Sequence, residues 1–100
     1  MTDKELLELA AKAAGISLIR SRLDEPILWS PLTDDGDALR LAVKLGITIG
    51  PESDDVVGKS LVRVSWLNRT HSLGEYGDGD LYAATRRAIV RAAAEIGKAM

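Results

Sequence analysis

One hundred residues, 46% of them hydrophobic and 28% charged, make one domain with one core and argue against wholesale disorder. A formal net charge of −2 excludes a globally basic nucleic-acid binder. The lack of cysteine and the single histidine exclude disulfides, thiolate catalysis, cysteine-held zinc and multi-histidine metal sites. No run approaches ~18 apolar residues, and the start MTDKELLELAAK is acidic and amphipathic. The expectation is therefore a cytoplasmic protein without a membrane span, a secretory signal or a cofactor.

The first predicted element is a helix over 3–14. Thr2 and Glu5 have capping-box spacing, Leu6, Leu9, Ala10, Ala13 and Ala14 recur with helical period, and Gly15 suits a left-handed end. Residues 16–20 (ISLIR) are branched and apolar, too short for a helix, and read as a strand. Pro26 breaks the next stretch, and residues 27–29 read as a second short strand or an extended segment on the core. A second helix ends at Leu45, with Thr33, Asp34 and Asp35 suited to its N-cap, Ala38, Leu41, Ala42 and Leu45 on one face, and Leu39 and Val43 beside it.

Residues 47–49 alternate as a brief strand that Gly50 and Pro51 should stop, and residues 52–60 read as an exposed acidic loop. Residues 61–67 carry the best strand signal, with Val62, Val64 and Trp66 on one face and Arg63 and Ser65 on the other. A turn at 68–70 and a short return strand at 71–73 follow, then a glycine-rich connector over 74–80. Asp78 or Asp80 caps the last helix. Its apolar face is Leu81, Thr85, Ala88, Ile89, Ala92 and Ile96, Arg91 and Glu95 form a helical pair, and Gly97 predicts a fraying last turn. The expected fold is α+β: a small antiparallel-rich β-sheet packed against three α-helices, in the order α-β-α-β-β-α. The core is expected from Leu6, Leu9, Ile19, Trp29, Leu41, Leu45, Ile47, Val62, Val64, Trp66, Ile89 and Ile96.

Two charged regions are candidate sites. Between Asp24 and Asp55 eight acids face only Arg40 and Lys44. Asp34, Asp35, Asp54 and Asp55 are the protein-binding candidates, since a negative surface can occupy a partner's basic groove. Helix capping and solubility are the plainer readings of the same residues. On the last helix, Arg86, Arg87 and Arg91 match phosphate geometry, and Tyr76 beside the glycine-rich connector could close over a ligand. A solvated helix face is the plainer reading there. Ala83, Ala84, Ala92 and Ala93 would permit close helix pairing across a two-fold axis, so a homo-oligomer is one expectation; equally, that face could sit flat on the sheet. His71 lacks a nucleophile or carboxylate at a known catalytic spacing, and no phosphate-loop context surrounds Gly74, Gly77 and Gly79.

The stretch WSPLTDDGDAL at 29–39 resembles the approach to the central helix of small phage proteins of the ABA-sandwich, NinX-like type, through Trp29, Pro31, Asp37 and Ala38. The stretch YAATRRAIVRAA at 82–93 is similar to the closing helix of that family. The family's usual Asn-Pro is Ser30-Pro31 here, and its frequent closing-helix cysteine is absent. The resemblance implies a phage or prophage accessory protein with an α/β sandwich and no established enzymatic role, and it carries over no functional residue. The expected function is non-enzymatic binding in the host cytoplasm, as a counter-defence protein or host-factor inhibitor whose partner is a host or defence protein. The alternative is an oligomeric sponge for a small nucleotide ligand at the basic last helix. Neither nucleic acid nor membrane is an expected partner.

Overall fold

The computed structural model describes residues 1–16, 29–54, 59–77 and 79–100. Their elements are α1 (Asp3–Ala14), α2 (Asp35–Leu45), β1 (Thr48–Asp54), β2 (Lys59–Trp66), β3 (His71–Tyr76) and α3 (Leu81–Lys98). The strands form an antiparallel sheet in the order β1-β2-β3, and the fold is α+β. The strands expected at 16–20 and 27–29 fall almost wholly outside the described residues, as does Ile19. Ile16 and Trp29, which are described, sit outside regular structure, partly buried against the core.

Local chemistry fixes the helix ends. Thr2 Oγ1 accepts from the Glu5 N–H at 3.2 Å, and the Glu5 carboxylate accepts from the Thr2 N–H, completing the capping box. Asp34 caps α2 by accepting from the Asp37 N–H at 2.8 Å, and Asp80 caps α3 by accepting from the Ala83 N–H at 3.0 Å. Gly15 and Gly46 end α1 and α2 at φ 71° and 67°, where a Cβ would be strained.

The sheet alternates as its residues require. Val62, Val64 and Trp66 are buried, and their register partners Glu75, Leu73 and His71 share their face. Leu61, Arg63 and Ser65, opposite Tyr76, Gly74 and Ser72, occupy the other face. The core joins this sheet face to Leu6, Ala10 and Ala14 of α1, Ala38, Leu41 and Ala42 of α2, and the small residues of α3.

Four expectations change. Gly50 and Pro51 do not end the strand: β1 runs through them to Asp54, with Pro51 opposite Val62 and Asp54 opposite Lys59. Among the described residues β1 is an edge strand, where a proline's missing donor is tolerated. Residues 52–54, 59 and 60, expected as loop, are therefore ladder. The glycine-rich connector also yields to the sheet, because β3 continues to Tyr76. A Cβ on Gly74 would lie 2.9 Å from Leu61 Cδ1, so the bare glycine makes room for its cross-strand diagonal neighbour.

The third change is in α3. Leu81 is exposed, while Ala84, Val90, Ala93, Ala94 and Gly97 are buried beside the expected Ala88, Ile89 and Ala92. α3 packs on β2 and β3 and also on both other helices, so burial wraps further around it than one stripe. Gly97, the fourth, marks no frayed turn. A Cβ there would fall 2.0 Å from the Leu9 carbonyl oxygen, so the glycine lets the α1 and α3 backbones touch. Ala84, Ala92 and Ala93, considered for pairing across a two-fold axis, are covered by their own chain.

Candidate functional site

The acidic lead-in to α2 is a closed hydrogen-bond network. Pro31 is fully buried, and the Asp34 N–H donates to the Ser30 carbonyl at 2.8 Å. Asp37 Oδ2 accepts from the Ser30 N–H at 2.8 Å, and its Oδ1 accepts from Arg40 at 2.6 Å. The Ser30 N–H, and after it the Arg40 guanidinium, hold the Asp37 carboxyl below the usual carboxylate range, with burial opposing them. Asp34 is the cap, and Asp35 accepts from Arg86 at 2.6 Å. Of the other two protein-binding candidates, Asp54 ends β1 and Asp55 lies outside the described residues. The acidic candidates are thus not one free patch: both described in full here have structural partners.

The three arginines of α3 diverge. Arg86 donates to the Leu32 carbonyl at 2.9 Å and to Asp35, fastening α3 to the approach of α2. Arg87 donates through both Nη atoms to Asp3 Oδ1, at 2.8 and 3.1 Å, fastening α3 to α1. Arg91 donates through Nη1 to Glu75 at 2.5 Å and to the Gly74 carbonyl at 3.4 Å, fastening α3 to β3. This corrects the solvated basic face to three seams between elements. It also corrects the helical pair: Arg91 meets Glu75 and not Glu95, whose ion-pair neighbour is Lys98 at 4.0 Å.

Arg87 and Arg91 still meet in space, as their one-turn spacing predicts. They line a cleft of about 370 Å³ between α1, β3 and α3, over Leu6 and Leu73, with Met1, Glu75 and Glu95 around them. Of the other two ligand-binding candidates, Arg86 is engaged elsewhere, and Tyr76 stands on the opposite sheet face with 44% of its surface exposed. A second cleft of about 400 Å³ lies at the far end of α3, among Leu45, Trp66, His71, Ile96 and Met100. There His71 bonds through Nδ1 to Thr70 Oγ1 at 3.0 Å and stacks on Trp66, ring centroids 5.7 Å apart. No group of three or more His, Cys, Asp or Glu able to hold a metal occurs among the described residues.

One surface feature escaped the motif reading. Leu39 and Val43, four apart on α2, are 58% and 73% exposed. They form an outward apolar stripe at whose N-terminal end stand Asp34 and Asp35, with side chains 57% and 68% exposed. The signal was present in the sequence, since these two apolar residues fall off the buried Ala38–Leu41–Ala42 face of the helical wheel.

Comparison with protein-family models, with curated proteins and with solved structures finds no match to this chain. Among the described residues no helix is long and apolar enough to cross a membrane.

Proposed function

We propose that the protein is a non-enzymatic accessory protein of a phage or prophage that acts in the host cytoplasm by binding a host or defence protein. The observation that carries the binding reading is the exposed Leu39–Val43 stripe with Asp34 and Asp35 at its end. An apolar centre with a charged rim is the usual anatomy of a protein interface. The reading shifts the interface from a purely acidic surface to the outer face of α2, with the acids as its rim. The phage assignment rests on the resemblance of residues 29–39 and 82–93, and the counter-defence role is its functional extension.

The test leaves the structural acids alone. Reversing Asp34 would remove the α2 cap and reversing Asp35 would repel Arg86, so a lost partner could not be separated from a damaged fold. Leu39→Lys with Val43→Lys changes only outward side chains. Affinity capture from phage-infected cells should recover a stoichiometric host protein with the wild type and lose it with this double variant, at unchanged melting temperature. Equal capture by both proteins would refute the α2 interface.

A further inference from the structure

The cleft between α1, β3 and α3 holds a charge pattern that the fold does not use up, and it shares no residue with the α2 stripe. Arg91 spends only Nη1, on Glu75 and the Gly74 carbonyl. Its Nε and Nη2, the two donors of one guanidinium edge, give no hydrogen bond to any described group, and the side chain is 42% exposed. One helical turn on, Glu95 accepts no hydrogen bond from a described group, and its ionic neighbour Lys98 is 4.0 Å away. The cleft is therefore lined by an arginine with a donor edge to spare and by a glutamate that the fold does not saturate, beside apolar Leu6 and Leu73; Glu95 also borders the second cleft.

From this we infer that the cleft binds a free α-amino acid with an aliphatic side chain. The ligand carboxylate takes the Arg91 edge, which matches its two oxygens in plane. The ligand ammonium takes the Glu95 carboxylate, since residues four apart on a helix share a face, with Cβ atoms about 5–6 Å apart. The aliphatic side chain covers Leu6 and Leu73, and a cleft of this volume falls in the usual range for small ligands. A polyphosphate fits worse: Glu75 and Glu95 repel it, and the cleft lining contains no aromatic side chain on which a base could stack.

The probe is L-leucine, titrated into the full chain and followed by backbone amide shifts. Two analogues each lack one charge: 4-methylpentanoate has no ammonium, and 3-methylbutylamine has no carboxylate. The expected result is a saturable shift of Leu73, Gly74, Glu75, Arg91 and Glu95 with leucine, with each analogue at least tenfold weaker. Arg91→Lys, which keeps the charge and loses the planar edge, and Glu95→Gln should each weaken leucine binding about tenfold. Arg86→Lys, on another seam, should leave it unchanged. No saturable shift up to about 50 mM leucine, or an analogue binding as well as leucine, overturns the assignment from the wild-type protein alone.

Discussion

The approach to α2 and the cleft beside β3 are built from the same side chains, arginines against carboxylates, and use them in opposite ways. At α2, Asp34, Asp35 and Asp37 each accept a hydrogen bond from a backbone N–H or an arginine, and together they tie loop, helix and α3 into one piece. At the cleft, Arg91 has an unused guanidinium edge and Glu95 an unsaturated carboxylate. Charge density along the chain does not distinguish the two; an account of donors and acceptors does. The region densest in acid is structural, and the sparser one has bonding capacity to spare.

The largest expected effect strikes the frame that both regions share. Gly97→Ala places a methyl group into the Leu9 carbonyl, so α1 and α3 must part. Overpacking of this kind costs about 1–3 kcal/mol, or more where backbone must move. Thermal unfolding should show a fall of about 10 °C or more. A variant that melts like the wild type would mean that the two helices are not in backbone contact.

Next comes Asp37→Asn, which keeps the shape but leaves one acceptor oxygen where there were two, so one of the bonds from Ser30 and Arg40 is lost and the other loses its charge. Bonds to charged groups contribute about 1.5–3 kcal/mol each, and the amide retains part of that. A urea midpoint lowered at constant slope is the expected reading. The same carboxylate sharpens the contrast through pH. Its folded pKa lies below the ordinary value of 3.8, so its contribution is fully present above that value and is lost as pH falls through the folded one. Wild type and Asp37→Asn should therefore differ most at neutral pH and converge as the pH falls through the folded value. A gap that stays constant with pH would remove the carboxylate charge from the account.

Asp34→Ala should cost about 1 kcal/mol, the worth of one N-cap. Leu39→Lys with Val43→Lys should lie within about 0.5 kcal/mol of the wild type, as for surface positions without a structural partner.

Much of the frame is legible in the chain because it depends on near neighbours. Thr2 with Glu5, Asp80 before an apolar run and the alternation of Val62, Val64 and Trp66 each satisfy themselves within a few residues. What was misread depends on remote partners. Pro51 is tolerated because β1 has β2 on one side and no described strand on the other. Gly97 is explained only by Leu9, and Arg91 chose Glu75 across the fold over Glu95 one turn away. The candidate residues divide the same way: the one-turn spacing of Arg87 and Arg91 survives as a shared cleft, whereas Arg86, next to Arg87, and Tyr76, next to Glu75, lie elsewhere.

The sharpest test of the contrast sets Asp37→Asn beside Arg91→Lys in urea denaturation at neutral pH. The α2 cluster being structural and the cleft charges being spare, Asp37→Asn should lose about 1.5 kcal/mol or more, and Arg91→Lys, a partly exposed pair that keeps its charge, less than about 1 kcal/mol. Equal losses, or the larger loss at Arg91, would show that the cleft charges hold the fold together as firmly as the α2 cluster does.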